Sequence, residues 1–165
     1  MVILGNIIYY LKINVKLLKK MISDFEINTL KKTNFIDITD EVINSINSCF
    51  KKCDLNDLND KDTSLKSGLC LIYTPHTTAG IIINENADSD VVSDIQNFLK
   101  GIIPAGIKFN HAEGNSDAHI KSSIIGNSRI VPVLNGKLLL GRWEGIFLCE
   151  FDGPRTRKVI IAAIS

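Results

Sequence analysis

Arg129-Ile130-Val131-Pro132-Val133-Leu134-Asn135-Gly136-Lys137-Leu138-Leu139-Leu140 decides the fold class. Asn-Gly tolerates the left-handed backbone of a two-residue turn, and here it stands between two apolar runs rich in branched side chains. It predicts a hairpin with strands over Arg129 to Val133 and Lys137 to Leu140. Beyond it, Gly145 to Phe151 and Lys158 to Ile164 read as two more strands, joined through Asp152-Gly153-Pro154-Arg155, a turn by composition.

Moving back from the hairpin, Ser116 or Asp117 can cap a short helix that ends at Ile125, with Gly126 as its stop. That places His119 in the first turn. Asp88 or Ser89 caps a longer helix with the stripe Val91, Val92, Ile95, Phe98, Leu99 and Ile102, stopped by Pro104. Gly68 to Thr74 and Gly80 to Asn84 are short apolar runs that read as buried strands. Thr39 is the N-cap of another helix, with Asp40 and Glu41 in its first turn and Val42, Ile43, Ile46, Cys49, Phe50 and Cys53 on one face. Asp24 to Thr29 and Asn34 to Ile38 alternate and read as strands. The order is β, β, α, β, β, α, short α, then four strands, which is α+β and not alternating βαβ.

A chain of 165 residues, 45% apolar and 22% charged, is long enough and apolar enough for one globular domain with a proper core. A formal net charge of +1 argues against nucleic acid as the main partner. Residues 1–20 form an N-terminal extension of unassigned role, rich in Ile, Leu, Val and Tyr and broken by Lys12, Lys16, Lys19 and Lys20. Its apolar run is too short to span a bilayer and it has no secretory cleavage signal, so no membrane partner is expected. It reads as a transit-like extension, an added strand or helix, or sequence upstream of a start at Met21. Residues 21–165 read as the single domain, with a polar loop at Asp54 to Ser67. Cys49, Cys53, Cys70 and Cys149 form no C-x-x-C pair and read as buried thiols of a reducing compartment. The expected location is the cytoplasm, with organellar targeting left open by the extension.

The chemistry concentrates in His111-Ala112-Glu113-Gly114-Asn115-Ser116-Asp117-Ala118-His119, which holds two of the three histidines. The third, His76, lies in the turn segment Thr74-Pro75-His76-Thr77-Thr78-Ala79-Gly80. Brought together, three imidazoles make the ligand set of a catalytic zinc with one open position; apart, they are three unrelated polar side chains. Glu113 is a candidate fourth ligand, a partner of a ligating histidine, or a general base. In Asn84-Glu85-Asn86-Ala87-Asp88, Glu85 can act as acid or base, and Asp88 either binds a cation or simply caps the helix. Arg155, Arg157 and Lys121 are candidates for gripping phosphate, Arg155 first among them. Cys149 lies inside an apolar strand, where a thiol is usually packing rather than a nucleophile. No G-x-S-x-G, P-loop or dinucleotide fingerprint is present.

These residues resemble the YjbQ family, also known as UPF0047, over about Met21 to Ser165. The resemblance rests on His76-Thr77-Thr78-Ala79-Gly80, Asn84 to Asp88, Asn110 to Asn115 with Ala118-His119, Val131-Pro132-Val133 to Leu140-Gly141, Trp143 to Ile146, and Cys149 to Arg155. It implies a β-sandwich of seven or eight mostly antiparallel strands with two main helices and one short one, assembled as a homotrimer. It also implies metal binding by His76, His111 and His119, with zinc the ion that three imidazoles favour and magnesium the one a diphosphate substrate favours. Family members are linked to a secondary thiamine-phosphate synthase activity, which joins a pyrimidine diphosphate to a thiazole phosphate and expels pyrophosphate. The substrate is then a small phosphorylated molecule, with Asn84 and Asp88 beside the basic residues in binding it. The alternative is a non-catalytic trimeric module that binds a phosphorylated metabolite; a third version has the histidines weld subunits together through a metal.

Overall fold

The computed structural model describes residues 21–54 and 67–164, with side chains described at 21–50 and 67–164. The expectations for the N-terminal extension, for nearly all of the polar loop and for the Cys53 side chain lie outside the described residues. The elements run β1 (Ile22–Asn28), β2 (Asn34–Asp37), α1 (Thr39–Asp54), β3 (Gly68–Tyr73), β4 (Ala79–Glu85), α2 (Ser89–Ile102), α3 (Ser116–Ile125), β5 (Ser128–Leu134), β6 (Lys137–Leu138), β7 (Glu144–Glu150) and β8 (Thr156–Ile164). This is the expected α+β order.

Among the described residues, eight strands form two antiparallel sheets, one ordered β1-β8-β3-β5-β6 and the other β2-β7-β4. The hairpin is as predicted. Asn135 and Gly136 take φ of 51° and 76°, the two left-handed positions of a tight turn, and Leu134 pairs with Lys137. β6 is shorter than predicted, although Leu139 N–H still donates to Pro132 O. The inner faces meet in one core: Cys70 and Ile72, Val131 and Val133, and Val159, Ile161 and Ala163 lie against Ile81, Ile146 and Leu148. α1 joins it with Val42, Ile46, Cys49 and Phe50.

A second core lies on the other face of β7, where Phe147 and Cys149 meet Phe35, Ile82, Leu99 of α2 and Ala118 of α3. β7 is therefore covered on both sides, which accounts for a strand whose apolar residues run on without alternation. Burying the large side chains of these two cores, at about 1.5–3 kcal/mol each, does most to hold the layers together.

Three local expectations need correction. Thr39 lies inside its helix; Asp37 Oδ1 accepts from Thr39 N–H at 2.9 Å, and the Thr39 hydroxyl accepts from Ile146 N–H at 2.9 Å. α3 is preceded by Asn115 as its N-cap position, one residue before the predicted candidates. In α2 only Leu99 is buried, while Phe98 is 67% and Ile102 54% exposed. Helical periodicity marked the apolar face correctly, but the second core is narrower than that stripe.

No helix among the described residues is long and apolar enough to cross a membrane. The outer face of the larger sheet carries one apolar row beside charged positions: Ile22, Ala162, Leu71 and Ile130 stand side by side across four strands, with Ile22 50% and Ile130 58% exposed, while Asp24 and Lys158 pair at 3.1 Å on the same face.

Candidate functional site

The site is made where three chain segments leave the sheets. The first is the turn after β3. There the backbone ladder with β8 ends, and two side chains continue it: Thr74 Oγ1 donates to Lys158 O at 3.0 Å, and His76 Nε2 accepts from Lys158 N–H at 2.8 Å. The second is α3, docked on the start of β4. Ser122 Oγ donates to Ala79 O at 2.7 Å, and Ile81 N–H to Gly126 O at 3.0 Å. The approach is close enough that a Cβ on Gly80 would lie 2.6 Å from Ile125 Cγ2. Docking in this way brings His119 to the His76 turn.

The third segment links β7 to β8. Glu150, at the end of β7, is fully buried, and both of its carboxylate oxygens are engaged. Arg157 Nε donates to Oε2 at 2.6 Å and Arg157 Nη2 to Oε1 at 2.5 Å. Thr29 Oγ1 and Asp152 N–H add bonds of 3.0 and 2.8 Å. Arg157 also donates to Thr78 Oγ1 at 2.8 Å, so this pair ties the Asp152 turn to the His76 turn. Gly153 sits against Lys31 O and Thr29 Oγ1, where a Cβ has no room.

Together the segments enclose a cleft of about 450 Å³. His76, His111 and His119 all line it, with Glu113, Asn115, Asp152, Arg155 and Arg157. The rings of His111 and His119 meet edge to face with centroids 5.4 Å apart. Glu113 Oε2 is 3.7 Å from His111 Nε2, and its side chain is 75% exposed. Arg155, half exposed, donates through Nη2 to Asp152 Oδ2 at 2.6 Å, and Asn115 Nδ2 donates to the same oxygen at 2.9 Å. Burial pushes the Asp152 carboxyl up, but these two hydrogen bonds and the arginine charges outweigh it and hold the group below the ordinary carboxylate range. Burial, aided by the Arg157 charge and opposed by Glu150, pushes the His76 imidazole below its usual value.

The other expected residues lie elsewhere. Asn84, Glu85 and Asp88 fall at the far end of β4, about 20 Å along the strand from the cleft at roughly 3.3 Å per residue. Glu85 pairs opposite Glu144, Asn84 Oδ1 accepts from Glu85 N–H at 2.8 Å, and Asp88 caps α2 through Asp90 N–H at 2.9 Å. Lys121 is buried and paired with Asp117 at 2.9 Å, away from the cleft wall. Arg157 reaches the cleft with its charge already matched by Glu150. Cys149 is fully buried, and burial pushes its thiol well above the ordinary range, the opposite of an activated nucleophile. Sequence reasoning missed Asn115, Asp152, Glu150, Thr29 and Thr78. Glu150 did leave a signal, a lone charge inside an apolar strand, with an arginine just past the following turn.

The three-imidazole metal site does not fit this donor set. A neutral imidazole has one lone pair, and that of His76 is occupied by the Lys158 amide. Among the described residues no three His, Cys, Asp or Glu side chains stand close enough to share an ion.

A two-layer antiparallel sandwich with helices packed against it, carrying a histidine cleft at the ends of its strands, is the class that fold and site define. The profile of the UPF0047 protein YjbQ-like family matches residues 23–165, and the chain belongs to that family. It is 46% identical over 145 residues to a UPF0047 protein of Methanocaldococcus jannaschii, covering 88% of this chain and 95% of that one. It is 45% identical over 142 residues to the UPF0047 protein YugU of Bacillus subtilis, covering 86% and 97%. A crystal structure of a YjbQ/UPF0047 family protein from Clostridium acetobutylicum superposes with a TM-score of 0.74 at 41% identity, covering 86% of this chain and 99% of the other.

Proposed function

We propose that this chain is an enzyme acting on a small phosphorylated substrate in the histidine cleft, of the secondary thiamine-phosphate synthase kind. In that reaction the thiazole nitrogen forms a bond to the methylene carbon of the pyrimidine diphosphate. The carbon–oxygen bond breaks, and pyrophosphate leaves with the electron pair. The observation that carries the reading is the convergence of His76, His111 and His119 with Arg155 in one cleft, from segments distant in sequence. Arg155 and the imidazole N–H groups meet the negative charge that grows on the departing pyrophosphate. Glu113 beside His111 supplies an acid–base pair at the mouth. Magnesium, which diphosphates carry, enters as part of the substrate.

The charge balance limits the rate this cleft can reach. Glu150 matches Arg157, and Asp152 already holds Arg155. A cleft so balanced favours a weak transferase, and the same balance favours the second reading, a module that binds a phosphorylated metabolite without turning it over. The two separate on one assay of purified protein, which follows thiamine phosphate and pyrophosphate with both substrates present. Under the enzymatic reading His111→Ala and Glu113→Gln lose turnover much more than substrate affinity. Binding of both substrates with no product by either measure overturns the enzyme and leaves the module.

A homotrimer is part of the same proposal. The apolar row on the outer face of the larger sheet, with Ile22, Leu71 and Ile130 side by side, supports burial against another copy. Sedimentation equilibrium reads the assembly directly. A trimer that survives chelator removes the version in which a metal welds the subunits.

A further inference from the structure

We infer that His76 is a hydrogen-bond donor in the cleft, presenting Nδ1–H to an oxyanion of the ligand, and is neither a metal ligand nor a proton acceptor. The inference rests on the proposed reading of the cleft as a phosphate-binding site, and it assigns this ring its part in it. Two side chains take over where β3 leaves the sheet. Thr74 fills the place of a backbone donor opposite Lys158 O, and His76 the place of a backbone acceptor opposite Lys158 N–H. The amide is held in the β8 strand, so the ring meets it on fixed terms. At 2.8 Å the amide hydrogen points at the Nε2 lone pair, and a neutral imidazole that accepts at Nε2 carries its proton on Nδ1.

The alternatives each put two donors face to face. A metal on Nδ1 needs that nitrogen's lone pair, which moves the proton to Nε2, against Lys158 N–H. An imidazolium does the same, with a positive ring added close to the Arg157 charge. Glu150 is the group of opposite sign that acts on the ring, and Arg157 already holds both of its carboxylate oxygens. Nδ1–H is then the only polar group the ring has left, and the ring lines the cleft that also holds Arg155. A neutral N–H beside a guanidinium suits a phosphate oxygen: it adds a directed bond where the arginine supplies the charge.

The test is two-bond proton–nitrogen spectroscopy of the full chain labelled with nitrogen-15 in histidine, with His76 assigned from the His76→Gln variant. At neutral pH the expected pattern is an unprotonated Nε2 and a protonated Nδ1. Equimolar zinc leaves both His76 signals in place, and inorganic phosphate moves the Nδ1 signal. In a parallel titration, His76→Gln weakens phosphate binding about tenfold, the worth of one hydrogen bond to a charged group. An Nε2–H ring, an imidazolium, or a zinc-induced shift at Nδ1 overturns the tautomer. Phosphate that leaves Nδ1 unmoved, or binds the variant as well as the wild type, overturns the donor role. These readings stand apart from catalysis. A protein that makes no thiamine phosphate yet shows the tautomer and the phosphate shift loses the proposed reaction and keeps the inference.

Discussion

Replacing Glu150 with Gln tests the joint on which the cleft depends. The side chain has no exposed surface and accepts four hydrogen bonds, two of them from a guanidinium that is itself 4% exposed. Glutamine keeps the shape and one acceptor oxygen but puts an amide where the second carboxylate oxygen accepted. Arg157 is left charged, buried and unmatched. Breaking a buried pair from one side costs about 3–5 kcal/mol. For a domain of this size that lowers the midpoint of thermal unfolding by roughly 6–20 °C. The assay is thermal and urea unfolding of wild type, Glu150→Gln, Arg157→Met and the double variant. The double variant removes both charges and recovers part of the loss, with a coupling of about 2–3 kcal/mol. A Glu150→Gln protein that melts within about 2 °C of the wild type would refute the reasoning. So would single losses that add within about 0.5 kcal/mol in the double variant.

Gly153→Ala drives a Cβ onto Lys31 O and Thr29 Oγ1; the expected loss is about 1–3 kcal/mol in urea unfolding, with the added loss of phosphate affinity as the Asp152 turn shifts. Because the folded state holds the His76 proton less tightly than the unfolded chain, protonation favours unfolding. Stability of the wild type therefore falls relative to His76→Gln as the pH drops through and below the ordinary histidine value of about 6.5; parallel denaturation curves across that range would remove the point. Burial, with Cys49 nearby, pushes the Cys70 thiol up to about 12, and Cys149 is shifted in the same direction. Neither reacts with a thiol reagent at about pH 8 until the chain unfolds, which mass spectrometry of the labelled native protein checks.

Much of the architecture was legible because local rules and global packing agree. Asn135-Gly136 could make only one kind of turn, Pro104 and Gly126 closed helices where they stand, and the apolar run of β7 was read as a strand, though its cover on both faces came only with the fold. α2 was less legible, since periodicity marks which side of a helix is apolar and is silent on how much of that side a neighbour covers. The His76, His111 and His119 cluster was inferred from residue types rather than spacing, and the cleft does unite them. Asn84, Glu85 and Asp88 looked equally suited to chemistry, yet β4 places them a strand's length away.

By itself, the order of side chains determined which segments become strands and helices, because those choices are settled by neighbours a few positions apart. The role of each polar group was decided only in three dimensions. Lys121 and Arg157 carry the same charge as Arg155, but burial beside Asp117 and Glu150 spends theirs internally, whereas Arg155, paired with Asp152, stands half exposed at the cleft wall. His76 carries the same ring as His111, but a backbone amide from β8, 82 positions further along the chain, dictates where its proton sits.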